Sequence, residues 1–552
     1  MSNLTESIDI RVVSSLEKVF PDEAPSAEAD ITGVSAFWGE STSFQVAYNY
    51  SSLFAKWTDV EVSSEIADHI RVRKVELVPS TYPRHGLYDE DYLRTAPGMY
   101  PDLLRELSDN KIKLIPDQWR CLWVEIDVTE NIPEGEYPVK IEFINESGEV
   151  EAEAETFVEV IGIKLPELRI KHTEWFHGDC LADYYGIEVF SERHWEIMEN
   201  FIATAVRRNC NMLLIPIFTP PLDTAVGGER TTIQLVDVRV DSGEYSFGFG
   251  KLKIFIDICL AQGIRYFEMA HLFTQWGAQA APKIMATVDG EYKRIFGWDT
   301  PATGGKYEEF LQLFLPQLTE TLAGWGLQDR VYFHISDEPV KENIESYSKA
   351  KELVSPHLEG FNTMDAISDY EFYERGLIEQ PVCGNDHIEP FLENNVENLW
   401  TYYCTAQWKD VSNRFMAMPS YRNRIIGVQL YKYDITGFLH WGYNFYNSQF
   451  SLEHINPYED TSASEAFPSG DTFLVYPGAD GKPEESIRIL VLSQAFDDYR
   501  AMQLLEEISG REKVLELIED TDSEISFTEY PRSASYLLNL REKLNDAIKA
   551  SR

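Results

Sequence analysis

From about residue 30 to 163, apolar and polar positions alternate with a period of two. Phe44, Val46 and Tyr48 alternate with polar neighbours; Leu122, Val124, Ile126 and Val128 do so more cleanly; Tyr137, Val139, Ile141 and Phe143 follow the turn at 131–135. Successive side chains of a strand point to opposite faces, so this pattern predicts half-buried antiparallel strands, and their number predicts a β-sandwich. Residues 82–116, with several Pro and Tyr, read as a long polar insert reaching toward a second domain. Residues 159–166 read as the last sandwich strand and a short linker.

After that linker the period changes. Strand-like runs at 168–176, 212–218, 264–269, 331–336, 360–364, 381–384, 399–404 and 437–441 alternate with helical patterns at 191–209, 251–262, 306–323, 343–353 and 421–431. Alternation of this kind predicts a parallel sheet covered by helices. Eight strands are the number that closes a barrel. An open doubly wound sheet is the alternative, and the barrel is preferred because no Gly-x-Gly-x-x-Gly loop follows any strand. A loop rich in Pro, Tyr, Asn, Ser and Gly runs to about 483, and amphipathic helices follow at 486–508, 511–519 and 533–550. The expected organisation is multidomain: an all-β sandwich over 1–163, an α/β (β/α)8 TIM-like barrel over 164–485, and a C-terminal helical segment, 486–552, packed on the barrel.

Composition narrows the partners. A chain of 552 residues is too long for one core. Its 48 basic and 92 acidic residues give a net charge of −44, which argues against nucleic acid or an anionic membrane surface and for a neutral substrate. The sequence lacks an apolar run long enough to span a bilayer and begins without the basic and apolar regions of a signal peptide, so a cytoplasmic protein is expected. Cysteines 121, 180, 210, 259, 383 and 404 have no pairing spacing and read as reduced, mostly buried thiols.

Candidate chemistry centres on Val331-Tyr-Phe-His-Ile-Ser-Asp-Glu-Pro339, where an apolar run stops on two adjacent carboxylates. Catalytic groups of (β/α) scaffolds sit where such strands end. The plain alternative makes Asp337 the N-cap of a helix beginning near Pro339. The other predicted strand ends bring Glu174, Trp175, His177, Asp179, Glu268, Asn385, Asp386, Tyr402, Tyr403, Trp441 and Asn444 toward the same mouth. Acids and amides suit the hydroxyls of a pyranose, and aromatic rings suit its flat face. His172, Glu174, His177 and Asp179 could ligate a divalent ion, but no His-Glu-x-x-His motif is present, and neither a metal nor a cofactor is expected. A Gly-x-Ser-x-Gly elbow and a catalytic-cysteine signature are both missing.

Glycosidases ordinarily place two carboxyls about 5–5.5 Å or 6.5–9.5 Å apart across the scissile bond. Consecutive residues, with Cα atoms about 3.8 Å apart, flank a sugar awkwardly. A different division of labour fits: one carboxyl protonates the leaving oxygen while its neighbour orients a nucleophile belonging to the substrate, the C2 acetamido group.

Several segments resemble glycoside hydrolase family 123 and the related domain-of-unknown-function 4091 group. They are Trp119-Arg-Cys-Leu-Trp-Val-Glu-Ile-Asp-Val128 with Gly135-Glu-Tyr137, Thr173-Glu-Trp-Phe-His-Gly-Asp179, Ser336-Asp-Glu-Pro339, Gly437-Phe-Leu-His-Trp-Gly-Tyr-Asn444, Gly470-Asp-Thr-Phe-Leu-Val-Tyr-Pro-Gly478, and Ser486-Ile-Arg488 followed by Phe496-Asp-Asp-Tyr499. The resemblance implies a sandwich, a barrel and a retaining, exo-acting enzyme that releases terminal β-linked N-acetylgalactosamine from a glycan without a cofactor. It makes Glu338 the general acid/base and Asp337 the residue that holds the acetamido N–H, with Tyr402 or Tyr403 at the acetamido carbonyl. Another β-hexosaminide or galactoside as substrate, and a non-catalytic carbohydrate-binding protein, are the rival readings.

Overall fold

The structure is a computed structural model that describes residues 6–551. The chain divides into two compact units, one comprising residues up to 169, 412–432 and from 484 onward, the other 170–411 and 433–483.

The first unit contains ten strands: β1 (Ser7–Ser14), β2 (Gly33–Trp38), β3 (Glu40–Ser51), β4 (Lys56–Ser63), β5 (Ile70–Ser80), β6 (Gly98–Glu106), β7 (Lys111–Leu114), β8 (Trp119–Val128), β9 (Gly135–Ile144) and β10 (Val150–Lys164). They form two five-stranded sheets, ordered β1-β3-β8-β5-β6 and β2-β10-β9-β4-β7. The alternating residues of the sequence supply the core between them: Phe44, Val46 and Tyr48 from β3, Leu122, Val124, Ile126 and Val128 from β8, and Val139, Ile141 and Phe143 from β9. Residues 82–116 are not one long insert, because β6 and β7 lie within them. Pro101 and Pro116 weakened the strand pattern there, and β6 holds an edge of its sheet, where proline is tolerated.

The C-terminal helices belong to this unit and not to the barrel unit, which departs from the division expected at 485/486. Helix Ile487–Ser509 is capped by Ser486, whose hydroxyl accepts from Ile489 N at 3.3 Å. It packs with helices Ser420–Arg424, Ile426–Lys432 and Ala534–Ala550 and against β6 and β3. Buried ion pairs explain the grouping: Arg488 holds Asp102 of β6 at 2.7 Å, Arg73 of β5 holds Glu485 at 2.6 Å, and Arg541 joins Glu40 of β3 to Asp498. A charge taken out of water needs such a partner, and these partners lie on the sandwich.

The second unit is built on a closed barrel. Its strands are β11 (Lys171–Glu174), β12 (Met212–Ile215), β15 (Tyr266–Met269), β18 (Val331–Phe333), β19 (Asn362–Ala366), β20 (Gln380–Gly384), β21 (Trp400–Tyr402) and β22 (Gly437–His440), all parallel, with β22 closing on β11 from Lys171↔Gly437 to Glu174↔His440. These are the eight strands predicted from the sequence. Between them, β13 (Asp237–Asp241), β14 (Glu244–Gly248), β16 (Ile284–Val288) and β17 (Glu291–Phe296) make a separate four-stranded sheet that the periodicity did not reveal. Their short, largely exposed runs carry little apolar signal. Alternate strand residues, among them Met212, Leu214, Tyr332, Met364, Val382, Trp400 and Leu439, fill the barrel interior.

The helical layer is uneven, so the (β/α)8 pattern holds only in part. Glu192–Arg207, Gly250–Gln262, Lys306–Gly324 and Ile344–Val354 are full helices, whereas β19 and β20 are followed only by the five-residue Tyr370–Glu374 and Glu389–Glu393. After β21 the chain enters residues 412–432 of the first unit. Among the described residues no helix is long and apolar enough to cross a membrane. All six cysteines are free and buried.

If the period-two face is the sandwich core, Ile141→Ala should lower stability by about 2–5 kcal/mol in denaturant unfolding, whereas exposed Glu136→Ala on the same strand should stay within about 0.5 kcal/mol. Equal effects would contradict the assigned faces.

Candidate active site

β18 ends at Phe333, and the next five residues are tied down one by one. Ile335 N donates to Asp365 Oδ1 at 2.9 Å, replacing a ladder bond. The segment after β15 runs beside them, with Leu272 N bonded to His334 O, Phe273 N to Ile335 O and Trp276 N to Asp337 O, at 2.9–3.1 Å. Ser336 Oγ donates to Thr274 O at 2.9 Å and accepts from Ala278 N at 3.1 Å. The N-cap alternative for Asp337 fails, because the following α-helix begins only at Ile344.

Glu338 lies in the left-handed region, φ 41°, a conformation that costs a non-glycine residue on the order of 1 kcal/mol and collects at functional sites. Its carboxylate Oε1 accepts from the Tyr402 hydroxyl, at the end of β21, at 2.6 Å. Asp337 and Glu338 are both half-buried. Among the described residues, the Asp337 carboxylate accepts no hydrogen bond. Burial and the neighbouring Glu338 charge push Asp337 well above the usual carboxylate range, while the His334 cation pulls it back. Burial also raises Glu338, against the pull of the Tyr402 bond and with further repulsion from Asp386. Both shifts favour keeping a proton on the pair.

Beneath the pair lies a buried layer around Glu268, which the sequence placed at the mouth, together with His334 and Asp365, which it did not single out. Glu268 of β15 accepts from Thr173 Oγ1, from Trp175 Nε1 at 2.9 Å and from His334 Nε2 at 2.8 Å. His334 Nδ1 faces Asp365 Oδ1 at 3.4 Å, and Tyr347 donates to Asp365 Oδ2. Burial alone would pull the His334 imidazole down, but Asp365 and Glu268 outweigh it and push it up to about 9. The signal was present in the motif, since Tyr332, His334 and Ser336 share one face of the strand by period two.

The expected sugar contacts divide into two groups. Trp441 is half-buried, its Nε1 donating to Asp471 Oδ2 at 3.1 Å and its ring edge-on to Phe445. Trp175 is buried beside His271 and His334. Asn385 bonds through its N–H to Tyr402 O, and Tyr403 is buried against Phe438 and His440. By contrast His177, Asp179 and Asn444, expected to bind substrate, are engaged with one another's surroundings. Asp179 is clasped by Arg230 through two bonds of 2.8 and 2.9 Å, His177 Nδ1 accepts from Arg230 Nη2 at 3.1 Å, and His177 Nε2 donates to Trp441 O at 2.8 Å. Asn444 spans the backbone N and O of His177. Burial and Arg230 hold His177 down at about 4, so it is neutral. These three brace the first strand end; Arg230, some fifty residues on, made that unreadable from local sequence.

The metal alternative also changes. His172 Nε2 meets Glu174 at 3.3 Å while Asp179 is committed to Arg230, so that set does not converge. His271, His334 and Asp365 do lie together, with candidate ligand atoms within 4.8 Å. However, the two imidazoles are stacked, with centroids 4.4 Å apart and planes 24° apart. Lone pairs of near-parallel rings do not aim at one point, and both His334 nitrogens already face carboxylates.

The glycoside hydrolase 123 catalytic-domain model matches residues 175–505, more than half of the chain. The chain belongs to glycoside hydrolase family 123. This hydrolase is similar in structure to a family 123 glycoside hydrolase from Clostridium perfringens, described for glycolipid glycan hydrolysis, with TM-score 0.74 at 15% identity over 99% of this chain and 97% of that one. At that identity the likeness speaks for the fold. An endo-β-1,4-mannanase from Thermotoga petrophila (TM-score 0.33, 9% identity, 61% of this chain and 77% of that one) and a β-glucuronidase from Parabacteroides merdae (TM-score 0.31, 10%, 90% and 52%) are too distant to carry an argument. No curated protein sequence matches.

Arg230→Met leaves the Asp179 carboxylate buried without its partner and should cost the enzyme about 3–5 kcal/mol of stability. A variant that melts like wild type and only raises KM would return Asp179 to the role of sugar ligand.

Proposed function

We propose that this glycoside hydrolase is a retaining exo-enzyme that releases terminal β-linked N-acetylgalactosamine by substrate-assisted catalysis. The observation that carries the reading is the inequivalence of two consecutive carboxyls: Glu338 is held by Tyr402, whereas Asp337 has no donor among the described residues and so is open to an acetamido N–H. The family's implied specificity supplies the sugar.

In the first step the acetamido oxygen attacks C1, the C1–O bond to the aglycone breaks, and Glu338 gives its proton to the leaving oxygen. Asp337, ionised, accepts the acetamido N–H and stabilises the positive oxazolinium that forms. Tyr402 exchanges its bond to Glu338 for one to the acetamido carbonyl, which raises Glu338 at the moment it must act as an acid. In the second step Glu338, now a carboxylate, takes a proton from water. That water opens the ring at C1 and restores the β configuration. Trp441 offers an apolar face for the sugar.

Glu338→Gln should lower kcat/KM on an alkyl β-N-acetylgalactosaminide by about 10²–10⁴-fold, and less on the nitrophenyl glycoside, whose leaving group needs little protonation. Asp337→Asn should lower kcat on both. Undiminished activity of Glu338→Gln on the alkyl glycoside, or a 2-hydroxy galactoside turned over as fast as its 2-acetamido counterpart, would overturn the assignment. A panel of aryl glycosides separates this sugar from other β-hexosaminides.

A further inference from the structure

We propose that Trp276, on the rim of the barrel mouth, is a specificity-determining residue. With Phe450 it forms an apolar shelf that receives the sugar ring carried by the leaving oxygen, so the enzyme is built for a β-glycoside whose aglycone is itself a sugar. The inference rests on the reading of Asp337 and Glu338 as the reacting pair and goes beyond it. Glu338 meets only the leaving oxygen, and the groups proposed for the terminal sugar leave the next ring without a contact.

Backbone bonds tie the tryptophan to the acids. Trp276 N donates to Asp337 O at 2.9 Å, and Ala278 N, two residues on, donates to Ser336 Oγ at 3.1 Å. The same turn is held from the following helix, where Ser346 Oγ donates to Gly277 O at 2.7 Å. Trp276, Gly277 and Ala278 all lie in the left-handed region, at φ 60°, 106° and 53°. Two of the three carry side chains that disfavour it, and such strain persists where the surroundings over-determine it, most often at functional sites. In this fixed turn Trp276 is left 41% exposed, giving up burial that so large an apolar ring would otherwise gain.

The Trp276 ring meets Phe450 edge-on, with centroids 5.9 Å apart and planes at 87°. Trp276 follows β15 and Phe450 follows β22, and β11 and β12 stand between those strands in the barrel. The two rings therefore meet across the β11–β12 side of the mouth. The loop after β12 clasps them. Phe450 N donates to Asp223 Oδ2 at 3.0 Å, Ser451 Oγ to Asp223 O at 2.7 Å and Ala225 N to Phe450 O at 3.1 Å. Asp223 N in turn donates to Oε1 of Gln275, the residue before Trp276, at 2.7 Å. Polar bonds thus join three loops while both rings stay partly in water. Val226 and Leu452, each just past the clasp in the chain, are 76% and 70% exposed. Exposed apolar side chains gathered on the lip of an active site mark a ligand-facing surface. A pyranose has an apolar C–H face for such a platform and hydroxyl edges for the polar clasp around it, a match an alkyl chain lacks. The ring being cleaved sits at the acids, so the ring one glycosidic bond further out is the one that reaches the lip.

The test compares two β-glycosides of the same terminal sugar, a methyl glycoside and a disaccharide, in wild type, Trp276→Ala, Trp276→Phe and Asp223→Ala. In the wild type the disaccharide should have the higher kcat/KM; an equal or lower value would overturn the proposal without any variant. A stacked aromatic contributes about tenfold. Trp276→Ala should therefore lower the ratio of kcat/KM on the disaccharide to that on the methyl glycoside by about tenfold. Trp276→Phe should restore most of that ratio, and Asp223→Ala, which frees Phe450, should lower it by less. An unmoved ratio, or an equal loss on both substrates, is what mere packing on the rim gives and would sink the inference. So would an octyl glycoside that loses as much as the disaccharide, because the shelf would then be a general apolar surface. The ratio is read on whichever terminal sugar the wild type releases. A different sugar preference thus defeats the specificity proposed above and spares this inference, whereas an unmoved ratio in an enzyme active on the 2-acetamido sugar defeats this inference alone.

Discussion

Two carboxyl groups on consecutive residues at the mouth of a low-dielectric barrel cannot both be ionised at modest cost, and the architecture around β18 follows from that constraint. Burial raises both, the Glu338 charge raises Asp337 further, and Asp386 raises Glu338. The pair therefore holds a proton at the pH where a carboxyl would ordinarily have lost it, which is the condition a general acid needs. What remains is to decide which member holds it. The surroundings of the two differ: Glu338 accepts the Tyr402 hydroxyl and faces Asp386, whereas the Asp337 carboxylate accepts no hydrogen bond among the described residues.

The barrel makes this asymmetry possible. Strand closure between β22 and β11 brings the carboxyl ends of eight strands to one mouth, so that residues from β15, β18, β19 and β21 meet although they are up to 134 positions apart, as Glu268 and Tyr402 are. Alternation along β18 sends Tyr332 into the apolar interior and His334 into the polar layer above it. The bonds from residues 272–276 then hold the backbone that presents the two acids. Fixing this backbone in advance means that little reorganisation is left for the moment of reaction.

Much of this was legible in the chain. The eight barrel strands follow from runs bounded by helical patterns, and the sandwich core follows from strict alternation, because in both cases one face must be dry. The strand-end motif named Asp337 and Glu338 as neighbours at the mouth. Less legible were features whose physical cause is remote in sequence. Arg230 engages Asp179 and His177, and Glu268 and Asp365 flank His334 and push its imidazole up to about 9; no local pattern announces either. The exposed four-stranded sheet escaped because short polar strands carry almost no hydrophobic period, and the C-terminal helices joined the sandwich unit through single buried arginines.

The central claim is that the substrate's own amide, steered by Asp337, is the nucleophile. Replacing the acetamido hydrogens by one, two and three fluorines drains electron density from the amide oxygen while changing its size little. The account predicts that kcat/KM on an aryl glycoside falls steeply with each fluorine; rates independent of fluorination would contradict it and assign the attack on C1 to another group.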